Sequence, residues 1–265
     1  IKISQIQFEA KSTPVKNAKI LNNYFNKAIK FKPNLICTPE CSNIITSDKS
    51  YLLKNTNNES DCPVLDMAKI FAKNNKVNIN IGSLLLKKKN SKKLVNRSFL
   101  INKRGVIIKK YDKIHMFDVN ISKTETHRES DTFAAGKNIA FLNLNNVKIG
   151  LTICYDLRFP NLFRELAKKG SEIILMPAAF TVPSRTAHWE ILLRARAIEN
   201  SLFIIATNMC GTHHTNRKTY GHSMLINPWG EKISQAKSKQ SILNTSINLE
   251  EVIKARKKIP AILND

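Results

Sequence analysis

Short apolar segments alternate with amphipathic ones along this sequence, and this alternation constrains the fold more than any other feature. The chain opens with IKISQIQF, in which apolar and polar residues alternate as they do in a half-buried strand. A segment with helical spacing follows near 14–31, and then the apolar segment NLICTPE, which ends at Glu40. Such alternation predicts an α/β protein whose mixed sheets are covered by helices.

The rest of the chain continues this pattern. In the first half we expect a helix near 63–75 and the strands VNINIGSLLL, NRSFLIN and GVIIKKYDK, of which the last ends at Lys113. In the second half the predicted strands are 138–144, 147–153, 172–177, 202–208, 221–226 and 242–248, and the predicted helices are 159–169, 187–199 and a short one from Leu249.

The segment Phe117–Gly136 differs from its surroundings because it is polar and irregular. A loop of this length inside a compact domain is more often functional than idle. No linker, repeat or low-complexity tract divides the sequence, so we predict a single domain over residues 1–265.

Composition indicates a soluble protein of a reducing compartment. Hydrophobic residues make up 42% of the chain, and no run approaches the roughly 18 apolar residues of a membrane span. The first residues lack the charged and apolar regions of a signal peptide. The cysteines are odd in number and scattered, at positions 37, 41, 62, 154 and 210. We therefore expect a cytoplasmic protein with no membrane partner.

The formal net charge of +23 raises the question of a nucleic-acid partner. Lysines are spread over the whole chain, with short runs such as Lys87–Lys89 and Lys109–Lys110. This distribution favours solvated surface lysines over a dedicated site, so we expect no nucleic-acid partner. A binding protein for nucleic acid is the alternative, and steep salt dependence of binding would support it.

Three chemically reactive side chains follow predicted strands. Cys154 stands where an apolar strand meets a helix in KIGLTICYDLRFP, a junction that exposes a side chain and favours a thiolate. Glu40 and Lys113 each stand just beyond another apolar strand. Alone, the cysteine would be a small core residue and the charges would be surface residues. A nucleophile, a carboxylate and a cation at three strand ends together indicate a catalytic site.

These motifs resemble those of the nitrilase, or carbon–nitrogen hydrolase, superfamily. TPE, YDKIHMFDV and CYDLRFP stand in the family's order, and the similarity extends to PAAFTVPSRTAHWEILLRARAIEN and YGHSMLINPWGE. Within the superfamily the sequence looks most like the branch of deaminated glutathione amidases and omega-amidases. The resemblance implies an αββα sandwich that pairs into a four-layer αββα–αββα homodimer or a higher oligomer.

The resemblance also implies a role for each residue. Cys154 matches the nucleophile, Glu40 the general base and Lys113 the transition-state stabiliser, and Glu129 matches a second glutamate near the lysine. Attack by sulfur would split amide hydrolysis into two easier steps through a thioester, with Glu40 moving the protons. The Lys113 ammonium and the backbone N–H of Tyr155 would stabilise the oxyanion.

A small carboxylated amide is the substrate class that the resemblance implies, and arginine is well suited to bind carboxylates. The candidate substrate-binding residues in the matched motifs are Arg158, Phe180, Thr181, Arg185, His188 and Arg196. Structural salt bridges are an equal alternative for the arginines, and core or capping roles for the others. Deaminated glutathione, 2-oxoglutaramate, an N-carbamoyl amino acid and a nitrile all remain open as substrates.

We predict no cofactor and no metal. Cys37 and Cys41 are four residues apart and His213 and His214 are adjacent, so neither pair has the spacing of a zinc motif. The sequence contains neither a Walker A segment nor GxGxxG. A cysteine–histidine hydrolase that uses His115 or His222 is the other catalytic option, but it would leave Glu40 and Lys113 without roles.

Overall fold

The computed structural model describes residues 1–120, 126–180 and 185–264, without the side chains of residues 185, 186 and 263. In chain order the strands are β1 (Lys2–Gln7), β2 (Leu35–Cys37), β3 (Asn78–Lys87), β4 (Leu94–Ile101), β5 (Ile107–Asp112), β6 (Asp118–Asn120), β7 (Thr126–Arg128), β8 (Ala140–Leu144), β9 (Val147–Leu151), β10 (Ile173–Ala178), β11 (Phe203–Asn208), β12 (Cys210–Thr212), β13 (Lys218–Tyr220), β14 (Met224–Ile226), β15 (Lys232–Gln235) and β16 (Ser241–Ser246). The α-helices are α1 (Pro14–Ala28), α2 (Lys49–Asn55), α3 (Pro63–Asn75), α4 (Pro160–Lys168), α5 (Arg185–Asn200) and α6 (Glu250–Lys258).

Within the described residues, the strands form two six-stranded mixed sheets and two short two-stranded ones. The first large sheet has the order β16-β1-β2-β3-β4-β5, and the second has the order β15-β14-β11-β10-β9-β8. The three central strands of each sheet, β1-β2-β3 and β9-β10-β11, are parallel, and the outer strands are antiparallel. Parallel strands need both faces covered, which explains why almost every residue of β1, β2, β10 and β11 is buried.

Alternating side chains of the strands face two different cores. In β10, Ile173 and Leu175 pack in the core shared by the two sheets, while Ile174 and Met176 pack against the helices. Helices α1 and α3 cover the outer face of the first sheet, and α4 and α5 cover that of the second. The layers therefore run α, β, β, α, and the predicted αββα sandwich is confirmed.

The boundaries differ from the sequence prediction at several points. Strand β2 ends at Cys37, three residues before Glu40, because Pro39 lacks an N–H for the ladder and Cys41 has a positive φ of 58°. Helix α2 was not predicted, although Asp48 caps it by accepting a hydrogen bond from the Tyr51 N–H at 2.9 Å. The segment expected to be irregular contains the hairpin strands β6 and β7. No helix in the described ranges is long and apolar enough to cross a bilayer.

Gly82 in β3 allows the turn after β2 to approach the second sheet closely. A Cβ atom at this position would lie 2.0 Å from the Thr38 carbonyl oxygen and 2.5 Å from Cβ of Pro177. Neither a backbone oxygen nor a proline in a strand can move far without disturbing its sheet. Glycine is therefore required here, and the turn that carries Glu40 is held against the end of β10.

Candidate active site

Glu40, Lys113 and Cys154 line one cavity of about 640 Å³. Glu40 lies just after β2 and Lys113 just after β5, both in the first sheet, whereas Cys154 follows β9 of the second sheet. The two sheets thus each contribute to one site at their strand ends. Glu129, from the short helical turn Glu129–Asp131 that follows β7, lines the same cavity.

Glu40 is almost completely buried and fully hydrogen-bonded. Its Oε1 accepts hydrogen bonds from Lys113 Nζ at 3.2 Å and Asn96 Nδ2 at 2.9 Å, and its Oε2 accepts one from the Ala179 N–H at 2.8 Å. Burial alone would raise the pKa of Glu40, but the Lys113 charge and hydrogen bonds from Cys154, Ala179 and Asn96 outweigh it and hold the pKa below its usual value. Glu40 is therefore an anion at neutral pH.

Lys113 lies between two carboxylates. Its Nζ donates to both oxygens of Glu129, at 2.9 and 3.0 Å, as well as to Glu40. Burial would lower the pKa of the ammonium, but the charges of Glu129 and Glu40 outweigh that effect and raise the pKa. The Phe117 N–H fixes Glu129 in turn, donating to its Oε2 at 2.6 Å. The site therefore keeps a positive charge at a fixed point near Cys154.

Cys154 has a strained backbone, with a φ of 46° that non-glycine residues rarely adopt. Burial and the Glu40 charge raise the pKa of the thiol, and the Lys113 charge only partly opposes them. The thiol also shares a hydrogen bond with Glu40. The direction of this shift runs against the expectation that the junction favours a thiolate, because burial and the Glu40 charge both favour the protonated thiol.

The Tyr155 N–H lies beside the sulfur in the first turn of the short helix Cys154–Arg158. Amides in the first turn have no acceptor within the helix, so this donor is free to bind a ligand oxygen. The Tyr155 ring packs edge-on against Phe117 and Phe159, at centroid distances of 5.1 and 5.4 Å. This packing fixes the peptide that carries the N–H group.

Asp156 joins the lysine strand to the cysteine turn, a role that the sequence did not reveal. It is fully buried and accepts hydrogen bonds from the Ile153 N–H at 2.8 Å, Tyr111 Oη at 2.7 Å and His115 Nδ1 at 2.7 Å. His115 follows Lys113 by two residues, and its ring stacks on Phe159 with centroids 3.6 Å apart. His115, considered above as an alternative base, thus has a structural partner.

The sequence profile of the carbon–nitrogen hydrolases matches residues 2–257. The chain belongs to the carbon–nitrogen hydrolase family. It is 38% identical over 230 residues to the deaminated glutathione amidase of Yersinia enterocolitica, covering 86% of this chain and 80% of that protein. It is 34% identical over 252 residues to the deaminated glutathione amidase of Dictyostelium discoideum, covering 92% and 86% of the two chains. The predicted nitrilase-superfamily membership and hydrolase class are confirmed.

Among solved structures, the fold is similar to that of the C. elegans NitFhit protein. The TM-score is 0.93 and the identity 30%, and the match covers all of this chain. The chain spans only 64% of the NitFhit chain, so the activity of that whole protein does not transfer directly.

The candidate substrate-binding residues of this carbon–nitrogen hydrolase lie in different places. Arg158 and Phe180 line the cavity, and Arg158 Nη2 lies 3.2 Å from His188 Nδ1. Arg196 is buried elsewhere, where it donates to the Leu157 carbonyl and forms an ion pair with Glu199 at 3.0 Å, which favours the structural alternative. Thr181 lies outside the described residues, and the side chain of Arg185 is likewise not described.

The sequence interpretation missed several polar residues of the cavity wall, among them Asn96 and Arg217. Asn96 stands in β4, where the pattern marked only a buried strand, and Arg217 precedes β13. Both acidic residues among the described lining, Glu40 and Glu129, are already paired with Lys113. The other charged lining residues are cations: Lys49, Arg128, Arg158, Arg217 and Lys218. In the part of the chain that the structure describes, no group of three or more His, Cys, Asp or Glu residues could hold a metal ion.

The Asn96–Glu40 hydrogen bond gives a pH-dependent prediction. Because Asn96 stabilises the charged form of Glu40, Asn96→Ala raises the pKa of that carboxyl. Activity needs the ionised form and falls as the pH drops through this pKa, so the acid limb of the kcat/KM profile moves to higher pH. Asn23→Ala, at an exposed position in α1, serves as the control and leaves the profile unchanged. An acid limb in the same place in both variants would contradict this role of Asn96.

Proposed function

We propose that this chain is a cysteine-dependent amidase that cleaves a small carboxylated amide, such as deaminated glutathione, through a thioester. The observation that carries the proposal is the Cys154 thiol hydrogen-bonded to Glu40, whose carboxylate Lys113 keeps ionised. A protonated sulfur beside an anionic base is the arrangement that general-base activation of a nucleophile requires. Neither half-reaction requires a cofactor.

Acylation begins when sulfur attacks the amide carbonyl carbon while Glu40 takes the thiol proton. The carbonyl oxygen becomes an oxyanion, which the Lys113 ammonium and the Tyr155 N–H stabilise. When the carbon–nitrogen bond breaks, Glu40 gives its proton to the leaving amine. The acyl group remains on Cys154 as a thioester.

Deacylation uses the same carboxylate. Glu40 removes a proton from a water molecule, whose oxygen attacks the thioester carbon, and the same oxyanion donors act again. Collapse of this intermediate expels the sulfur, which recovers its proton from Glu40. Glu129 acts as a positioning residue because it holds the Lys113 ammonium through both steps.

The charges of the cavity support a carboxylated substrate. Deaminated glutathione has a 2-oxo group in place of the α-amino group of glutathione, so it carries a carboxylate at each end. Cleavage next to the cysteine residue releases cysteinylglycine and 2-oxoglutarate. The cationic lining of the cavity and the names of the similar amidases both favour this substrate. The alternative is 2-oxoglutaramate, an omega-amidase substrate that releases ammonia, and an N-carbamoyl amino acid or a nitrile would use the same triad.

Cys154→Ala tests the proposed reaction. With deaminated glutathione as substrate, wild type releases cysteinylglycine, and the variant loses more than about 10³-fold in kcat because no thioester can form. Mass spectrometry measures the cysteinylglycine that the wild type and the variant release. Cys62→Ala, a buried cysteine at the start of α3, is the matched control and keeps its turnover. Undiminished release by Cys154→Ala would overturn the mechanism, whereas turnover of an N-carbamoyl amino acid alone would overturn the substrate.

We further propose that the enzyme forms a homodimer through the outer face of α5. Ile191 and Ile198 lie seven residues apart on one side of this helix and are 65% and 50% exposed. The neighbouring turn adds Trp229, 52% exposed, and β15 adds Ile233, 43% exposed. Arg194 Nε donates to the Gly230 carbonyl at 2.8 Å, which joins the turn to the helix. Exposed apolar side chains grouped in this way are typical of interfaces.

Ile198→Glu tests this interface. A carboxylate at the centre of a dry interface would be buried without a partner, so the variant is monomeric in light scattering after size exclusion, at a concentration where wild type is dimeric. Ile70→Glu places the same charge on α3, where the isoleucine is 61% exposed, and leaves the dimer intact. A monomeric wild type would overturn the dimer, and a dimeric Ile198→Glu would overturn the interface.

We also propose a cytoplasmic location. All of the cysteines are free thiols, and Cys37 and Cys41 are both buried. Free thiols of this kind persist in a reducing compartment.

A further inference from the structure

Arg217 lines the active-site cavity with a guanidinium that has no partner among the residues that the structure describes. Its Nε atom is shielded from solvent and makes no hydrogen bond, and the side chain forms no ion pair with a described residue. An unpaired buried donor on a charged group is energetically unfavourable, and the buried donors of folded proteins almost always have acceptors. An anionic ligand in the cavity would supply the missing acceptor.

The backbone that carries Arg217 is held on both sides. The Arg217 carbonyl accepts a hydrogen bond from the His213 N–H at 2.8 Å. The His213 ring lies within hydrogen-bond distance of the Ala10 carbonyl, at 3.0 Å, and of Thr219 Oγ1, at 2.7 Å. Thr215 and Asn216 both have positive φ angles, 65° and 59°, so the chain turns sharply just before the arginine.

A second set of contacts fixes this turn to the segment that follows Glu40. His214 Nδ1 lies 2.8 Å from Thr46 Oγ1, and the Ser47 N–H donates to Thr215 Oγ1 at 3.0 Å. The His214 ring also stacks on Tyr51 of α2, with centroids 4.3 Å apart. The arginine is thus preorganised rather than carried on a free loop, as a specific binding residue should be.

Arg217 and Arg158 line different parts of the cavity. The turn just before Arg217 contacts the segment that follows Glu40. Arg158 lies instead near Tyr155, with its guanidinium 5.9 Å from that ring and its Nη2 3.2 Å from His188 Nδ1. The cavity therefore offers, beside the segment that follows Glu40, a guanidinium with no partner among the described residues.

We propose that Arg217 determines substrate specificity by binding a carboxylate of the amide substrate. The inference rests on the proposed amidase function and adds to it the residue that recognises the acid. A guanidinium binds a carboxylate through two parallel N–H donors, which fixes the orientation of the substrate as well as its charge. Arg217 acts in binding and takes no part in the bond changes at Cys154.

Arg217→Gln removes the charge and the fork and leaves a shorter, polar side chain. For deaminated glutathione, KM rises by roughly tenfold to a hundredfold, because hydrogen bonds to a charged group are lost, while kcat changes by less than about threefold. Hydrolysis of a short neutral amide such as butyramide does not change. Arg217→Lys keeps the charge without the fork and gives an intermediate KM. The control is Arg104→Gln, which removes the same charge at an exposed position away from the cavity.

Comparison with 2-oxoglutaramate, which has a carboxylate only on the acyl side, shows which carboxylate Arg217 binds. A higher KM for both substrates assigns the acyl-side carboxylate, and a higher KM for deaminated glutathione alone assigns the carboxylate of the leaving group. Equal losses on the carboxylated and neutral amides, or an unchanged KM for every carboxylated amide, would overturn the proposal.

Binding without turnover separates this proposal from the proposed reaction. Calorimetry measures the affinity of deaminated glutathione for Cys154→Ala and for the double variant Cys154→Ala with Arg217→Gln. A weaker affinity of the double variant, by the same factor as the change in KM, supports Arg217 even if the catalytic mechanism fails. Equal affinities, or no binding by the folded Cys154→Ala protein, would overturn the role of Arg217 whatever the turnover shows.

Discussion

The buried ammonium of Lys113 between the carboxylates of Glu40 and Glu129 is the interaction on which the rest of the site depends. Moving an ion from water into a protein interior costs on the order of several kcal/mol even after the protein relaxes. Each of these charges is therefore stable only because the others are present. The lysine keeps Glu40 ionised, and the charge of Glu40 in turn keeps the proton on Cys154. In the proposed mechanism Glu40 is the base beside the protonated Cys154 thiol, and the sulfur becomes strongly nucleophilic only as its proton moves to Glu40.

The fold brings these charges together from separate layers. Glu40 and Lys113 come from the first sheet and Cys154 from the second, so their distances depend on how the two sheets pack. Gly82 permits the close approach on one side, and Asp156 links the segment after Lys113 to the cysteine turn on the other. The left-handed backbone of Cys154 lies beside this buried carboxylate, which holds the turn by accepting the Ile153 N–H. The catalytic geometry is therefore a property of the whole sandwich.

Much of this arrangement could be predicted from the sequence, because strand periodicity and the three motifs are local features. The layer order, the elements that precede Glu40, Lys113 and Cys154, and the family all follow from them. Contributions that depend on tertiary contacts could not be predicted. Asn96 looked like an ordinary strand residue, and Arg217 like one of many surface cations, until the fold placed both at the cavity. The direction of the Cys154 pKa shift also escaped prediction, because the burial of the thiol depends on the packing of both sheets.

A rapid-quench experiment tests the central claim most directly, by locating the acyl group during the first turnover of deaminated glutathione. We expect a 2-oxoglutaryl group on the peptide that contains Cys154, formed together with the first released cysteinylglycine and lost as 2-oxoglutarate appears. Mass spectrometry of the intact and digested protein measures this. An acyl group on another side chain would contradict this mechanism. Unmodified protein at a time when cysteinylglycine has been released but 2-oxoglutarate has not would also contradict it.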